Sequence, residues 1–289
     1  MLLLLYDSFM AQTITHLSQR EADFLSRLAV ENRSVFRVEE VAAQWSNPAT
    51  FHAVLSRLQR GGWLKRIERG LYMLVPLSAG PDRTWTEDAL VIAERLVAPG
   101  AIAYWSALRF WNFTEQAPRT IFVQSPRRKY RADWTVAGVR YQVVTIRSQR
   151  FFGVEQRSIN GHTIHVTDRE KTILDAADRP DLSGGILQLA QTLSSHWADL
   201  DWPKLDTYLI RFASGALYKR LGYLIDMLRL PIPERNDRLA NWQSQRTTGI
   251  ALLDPSASVP GQPVVGSNHS QWRVRDNINL TVNLAGAHR

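Results

Sequence analysis

Residues 46–74 read SNPATFHAVLSRLQRGGWLKRIERGLYML, and this stretch decides how the chain should fold. Asn47 is a good helix N-cap, and Pro48 at the first helical position brings a preset φ and no amide that needs a partner. Phe51, Val54, Leu55 and Leu58 follow at helical spacing and should face inward, leaving Thr50, His52, Ala53, Ser56, Arg57 and Arg60 outside. Gly61-Gly62 ends the helix near residue 60. Two short strands, 63–67 and 70–74, then flank Glu68-Arg69-Gly70 as a hairpin. From 46 to 70 the ionised residues are Arg57, Arg60, Lys65, Arg66 and Arg69 against Glu68, a net of 5 − 1 = +4.

Upstream, Leu17-Ser18-Gln19-Arg20-Glu21 carries a capping box, in which Ser18 caps the Glu21 amide while Glu21 reaches back. Phe24, Leu25 and Leu28 continue a first helix to about residue 31. Asn32-Arg33-Ser34 breaks it, and a second helix is expected over 38–45 with Val41, Ala42 and Trp45 on one face. Three helices followed by a cationic hairpin form a winged helix-turn-helix, placed at 17–76. In that arrangement the third helix enters the major groove and the wing's cations meet phosphates or the minor groove. The candidate DNA contacts are therefore Thr50, His52, Arg57, Arg60, Lys65, Arg66 and Arg69. The same fold used only for protein contacts is the alternative.

The bulk composition fits this picture. The length of 289 residues suits two domains, and 45 % hydrophobic content with ten Trp and ten Phe is enough for a real core. There are no cysteines, which excludes disulfides, thiolate metal sites and Cys nucleophiles and suits a cytoplasmic setting. The opening Met-Leu-Leu-Leu-Leu-Tyr lacks the basic start, the apolar length and the cleavage site of a secretion signal, and Met10 is a second candidate start. Residues 1–16 are read as an N-terminal extension. The net charge of +8 favours polyanion partners. A second concentration lies between Arg119 and Arg157, with nine basic residues against Asp133 and Glu155, a net of 9 − 2 = +7. Within it, Arg127, Arg128, Lys129 and Arg131 form a possible second basic surface for phosphates. That run serves equally as a solvated loop or as a face for an acidic partner protein.

The remainder, 83–289, reads as a larger mixed α/β domain, making the chain α+β overall. A Pro-, Ser- and Gly-containing linker spans 75–82, and a helix is expected over 86–97. A short helix should form at 104–108, with strands at 120–125 and 139–146. Asn160-Gly161 between 157–159 and 163–166 is a strong hairpin signal. Thr167-Asp168-Arg169-Glu170 is a second capping box, opening a helix with Ile173, Leu174 and Ala177 inside. Helices are expected at 186–197, 204–212, 216–228 and 234–245, a loop at 254–270, and closing strands at 272–274 and 278–282.

No catalytic constellation emerges. His162 and His165 lie three apart on a strand, on opposite faces, and cannot chelate one ion. Asp168, Glu170, Asp175 and Asp178 cluster on one helix, where capping and the helix dipole account for the first two. There is no Gly-rich phosphate loop, nucleophile elbow or H-E-x-x-H, so neither a metal nor a cofactor is expected.

Several further motifs give the chain a likeness. They are Leu17-Ser18-x-x-Glu21, Arg69-Gly70-Leu71-Tyr72, and Tyr104-Trp105-Ser106-Ala107-Leu108 with Phe113-Thr114-Glu115-Gln116 and Pro118. Thr167-x-x-Glu170-Lys171-Thr172-Ile173-Leu174-Asp175, Arg220-Leu221-Gly222-Tyr223-Leu224, Leu253-Asp254-Pro255 and Trp272-x-Val274 continue the series. In order and spacing these resemble the AbiEi-type antitoxins, transcriptional regulators of bacterial type IV toxin–antitoxin (abortive infection) systems. The resemblance implies a winged helix that binds repeats upstream of its own operon and represses it. It also implies a C-terminal antitoxin domain, with a nucleotidyltransferase-like toxin as partner, in function or by contact. Apart from the resemblance, no stretch approaches the ~20 apolar residues of a membrane span and no catalytic motif is present, so neither a membrane partner nor an enzyme is expected. The competing reading from another class is a nucleic-acid-processing enzyme that the winged helix delivers to its substrate.

Overall fold

A computed structural model describes residues 17–80, 86–258 and 261–280. These fall into two compact units. The first comprises residues 17–80 and 86–95 together with the short segment 158–163, and the second comprises 96–157, 164–258 and 261–280.

The first unit opens with α1 (Gln19–Val30), capped by Ser18 in a complete capping box with Glu21. There follow β1 (Val35–Arg37), α2 (Val38–Ala42), α3 (Pro48–Arg60), β2 (Leu64–Glu68) and β3 (Leu71–Leu74). The three strands make an antiparallel sheet in the order β1-β3-β2. The core beneath is aromatic: Phe24 meets the Phe36, Trp45 and Phe51 rings edge-on, at centroid distances of 6.1, 5.7 and 6.0 Å. Two expectations need correction here. The second helix stops at Ala42, and Trp45 reaches the core from the turn beyond it. The strand β1 was not anticipated, since three residues after a turn carry no readable alternation. The last helix of the unit, α4, runs only over Ala89–Glu94, because Asp88 caps it and Arg95 closes it. The 86–97 expectation was too long at both ends.

In the second unit, β4 (Ala101–Ile102) and α5 (Tyr104–Phe110) precede β5 (Thr120–Ser125), β6 (Asp133–Val136) and β7 (Val139–Thr145). The hairpin of β8 (Val154–Ile159) and β9 (His162–Thr167) completes a six-stranded mixed sheet, in the order β6-β7-β5-β4-β9-β8. Its Asn160-Gly161 turn has positive φ at both residues, 50° and 79°, as an Asn-Gly hairpin demands. β5 and β7 run parallel, with Thr120 opposite Arg140 and Ser125 opposite Thr145.

Five helices follow: α6 (Arg169–Asp178), α7 (Gly185–His196), α8 (Trp202–Phe212), α9 (Gly215–Met227) and α10 (Arg235–Ser244). They share a large apolar core with Leu108, Phe113 and Phe152. α9 contributes Leu217, Leu221, Leu224 and Ile225 to this core. Gly222 lies directly under the Trp272 indole, so that any Cβ there would fall 2.0 Å from the ring. A small sheet of β10 (Ala251–Leu252), β11 (Ser267–His269) and β12 (Val274–Asp276) closes the unit in the order β10-β12-β11. This corrects two expectations. The 254–270 loop contains β11, and residues 278–280 are not a strand: Leu280 donates its amide to the Asp276 carboxylate at 3.0 Å. Residues 281–282 of that expected strand, like 1–16 and 81–82, lie outside the described residues.

Candidate nucleic-acid interface

α3 presents its polar face because its ends and its apolar stripe are fixed. Asn47 Oδ1 accepts from the Ala49 and Thr50 amides at 2.9 and 3.4 Å, with Pro48 in the first turn. Phe51, Val54, Leu55 and Leu58 are buried, as their spacing required. At about 100° per residue the outer face then has a centre and two rims. Ala49, Ala53, Ser56 and Arg60 form the exposed centre. His52 and Gln59 flank it on one side, Thr50 and Arg57 on the other. His52, Arg57 and Arg60 are exposed, whereas Thr50 is half-buried. Ala49, Ala53 and Ser56 at the centre let the start and middle of the helix approach a groove floor closely, while Arg60 at its end and the polar rims can reach around it.

The wing is β2 and β3, joined at Arg69-Gly70. Gly70 has φ +77°, which a side chain would strain. Register shifts between Arg66 and Glu68, a bulge that re-aims the end of the ribbon. Arg66 and Arg69 are exposed and Lys65 is half-buried. Arg66 donates from Nε to the Glu68 carbonyl at 3.3 Å. The wing's one acid, Glu68, is neutralised by Arg37 Nη2 at 3.3 Å.

Arg57 has a second attachment. Its Nε donates to Glu21 Oε1 at 2.7 Å, and Glu21 is buried while also accepting from Ser18 N and Oγ. Burial pushes the Glu21 carboxyl up, but the hydrogen bonds from Arg57 and Ser18 outweigh it and hold the group below the ordinary glutamate value. One cation of the expected contact set thus also pins α3 to α1. Sequence reasoning missed two further cations. Arg20 and Arg27, exposed and seven apart on α1, line a hollow of about 200 Å³ with Gln44, Trp45, Ser46, Asn47 and Thr50 at the start of α3. The Arg20 guanidinium lies 6.0 Å from the Trp45 ring centre. The i, i+7 spacing of two arginines on an amphipathic helix was the available signal.

Of the second basic surface, Arg128 is exposed. Arg127 donates to the Ala98 carbonyl at 3.1 Å and Arg131 to the Asp133 carbonyl at 2.6 Å. Lys129 sits 4.5 Å over the Trp134 ring. Tyr130 between them is fully exposed. The two histidines of β9 are not brought together for a metal: His162 contacts Ser34 Oγ at 3.3 Å and approaches Glu87 at 3.8 Å. Among the described residues, no three His, Asp or Glu side chains gather as a metal site would require. The α6 acids have structural partners. Asp168 caps the helix, accepts from Tyr208 Oη at 2.8 Å and shares Lys204 with Glu170, while Asp178 pairs with Arg150 at 3.0 Å.

A three-helix core with an antiparallel β1-β3-β2 sheet and a cationic β2–β3 ribbon defines a winged helix-turn-helix, set in an α+β chain with a larger mixed second part. Residues 23–75 match the family model described as transcriptional regulator, AbiEi antitoxin, in agreement with the resemblance read from the motifs. The whole chain is similar in fold to the crystal structure of the RV2827C protein from Mycobacterium tuberculosis. That likeness has a TM-score of 0.61 and 17 % identity, covering 94 % of this chain and 96 % of that one. No curated protein sequence matches the chain. Among the described residues, no helix is long and apolar enough to cross a membrane.

Proposed function

We propose that this chain is an autoregulatory DNA-binding repressor and antitoxin of a type IV toxin–antitoxin system, countering a nucleotidyltransferase-like toxin. The observation that carries the reading is the surface of α3 and the wing, a polar helix face with Arg60 at its centre and Arg57 on one rim, followed by an exposed arginine ribbon. It lies within the segment similar to a family of transcriptional regulators. Residues 17–76 then bind repeats upstream of the operon. Thr50, His52, Arg57 and Arg60 enter the major groove, and Lys65, Arg66 and Arg69 meet phosphates or the minor groove. Arg20 and Arg27 extend the phosphate track at the start of α3. Residues 83–289 supply the antitoxin function, and Arg127, Arg128, Lys129 and Arg131 offer a second phosphate surface. The protein acts in the cytoplasm without a cofactor and without catalysis of its own.

The test is binding of the full chain to a duplex carrying the operon's repeats, measured across salt concentrations. Each lost phosphate contact lowers the slope of log K against log salt by about 0.9. The Arg66→Ala, Arg69→Ala double variant should therefore flatten the slope by about 1.8 and weaken all sequences alike. An unchanged slope overturns the wing assignment.

A further inference from the structure

The second unit contains a cavity of about 310 Å³ that nothing in the DNA-binding reading uses. Its walls are Tyr104, residues 145–147 at the carboxyl end of β7, Arg150, Asp175, Asp178 and Arg179, with Phe212 as an aromatic side. That volume is at the small end of ligand sites, so it suits a compact molecule.

The polar groups around it are unevenly satisfied. Arg150 is paired with Asp178 at 3.0 Å, and Arg179 holds Asp181 through two bonds of 2.9 and 2.6 Å. The side chain of Arg147 is exposed and makes no hydrogen bond or ion pair among the described residues. On the inner side, Asp175 is only 3 % exposed. Its Oδ1 pairs with the fully buried Lys171, whereas its Oδ2 has no hydrogen-bond partner. A buried carboxylate oxygen without a donor carries a desolvation cost that folding alone does not repay. Lys171 is itself held between the Phe152 and Phe212 rings, 5.2 and 5.3 Å from their centres, so its ammonium stays on Oδ1. The walls also place a tyrosine in backbone strain: Tyr104 has φ +56°, a left-handed conformation rare for an aromatic residue. Such outliers cluster where a site fixes a side chain.

We infer that this cavity binds a small phosphate monoester whose far end offers an N–H or O–H donor. The phosphate lies among the guanidinium groups of Arg147, Arg150 and Arg179. The donor reaches Asp175 Oδ2, and the body of the ligand packs along Ile146 and Phe212. Arg147 offers an open planar fork to two phosphate oxygens, and Arg150 and Arg179 keep further N–H donors beside their bonds to Asp178 and Asp181. Each acid at the site is matched by one cation, which leaves Arg147 as the surplus charge. Arg147, Arg150, Arg179 and Lys171 stand against Asp175, Asp178 and Asp181, a net of 4 − 3 = +1. The site is independent of the α3–wing surface, so either assignment can fail without the other.

Titration calorimetry on the full chain tests the assignment, with AMP, glucosamine 6-phosphate and inorganic phosphate as probes. At least one of the two esters should bind about ten-fold or more tightly than inorganic phosphate, and which one it is identifies the source as nucleotide or amino sugar. Arg147→Ala, an exposed change that spares the core, should weaken that ester by about ten-fold. Asp175→Asn should weaken it too while leaving inorganic phosphate unaffected. The inference is overturned if neither ester exceeds inorganic phosphate, or if Arg147→Ala binds the ester as well as the parent chain does.

Discussion

Replacing Glu21 with alanine should loosen α1 and α3 together, by an amount the contacts allow to be worked out. The carboxylate closes the capping box through Ser18 N and Oγ at 2.9 and 2.8 Å, and loss of a cap costs about 1 kcal/mol. It also accepts the Arg57 Nε bond of 2.7 Å. A charge-assisted bond is worth about 1.5–3 kcal/mol when buried. Here the Arg57 side chain is 49 % exposed, so solvent screening reduces that to about 1 kcal/mol. The sum is about 2 kcal/mol, or about 10 °C in the melting of a unit this small. Hydrogen exchange on the full chain, read on the amides of residues 19–30 and 48–60, reports the first unit without interference from the second. A double-mutant cycle with Arg57→Ala should give a coupling of about 1 kcal/mol. If the two changes add to within about 0.3 kcal/mol, the ion pair contributes nothing and Arg57 is a surface cation alone.

Two other perturbations have definite signs. Gly222→Ala drives a methyl into the Trp272 ring and should destabilise the second unit by about 3 kcal/mol, an overpacking cost visible in urea unfolding; a loss below about 0.5 kcal/mol contradicts the contact. Burial, opposed in part by Lys171, raises the Asp175 carboxyl from 3.8 to about 6. A carboxyl raised in the folded state stabilises most below its unfolded pKa, and that stability is lost as pH rises through the folded value. The stability advantage of the parent chain over Asp175→Asn should therefore shrink by up to about 3 kcal/mol between pH 4 and pH 7. An advantage that grows with pH would mean that Lys171 dominates the site.

The parts of the fold that were legible in advance are those whose ends carry their own chemistry. Asn47-Pro48 and Gly61-Gly62 bracket α3, and its observed bounds, Pro48–Arg60, are those expected. β5 and the Asn160-Gly161 turn were equally plain, the first from its β-branched and aromatic residues, the second because Asn-Gly adopts left-handed φ readily. β1 and β6 were not legible: one is three residues long, and the other follows a basic loop that masks its Trp134 anchor. Strand-like Ile278-Asn279-Leu280 was misread because nothing local announces that Asp276 takes the Leu280 amide. At the candidate interface, the outward residues of α3 and the wing followed from periodicity. The tie between Arg57 and Glu21 spans 36 positions and could not. At α6 the expected Thr167-Asp168-Arg169-Glu170 box does not form: Asp168 is the N-cap and takes the Lys171 amide, while Glu170 accepts the Asp201 amide at 2.9 Å and pairs with Lys204, partners that no local spacing announces. That Asp175 keeps an oxygen without a donor depends on how Lys171 is wedged between two rings, which no spacing rule encodes.

The tip of the β8–β9 hairpin, residues 158–163, belongs to the first unit although some sixty residues of the second precede it in sequence. Gly161 supplies the carbonyl that Asn32 Nδ2 donates to at 3.2 Å, and His162 supplies a partner for Ser34. A gene fragment ending at residue 95 would therefore encode the regulator-like head without its last piece. On the ribosome the same topology imposes a wait. At roughly 5–20 residues per second, residues 17–95 are made several seconds before the segment 158–163 that belongs to the same unit.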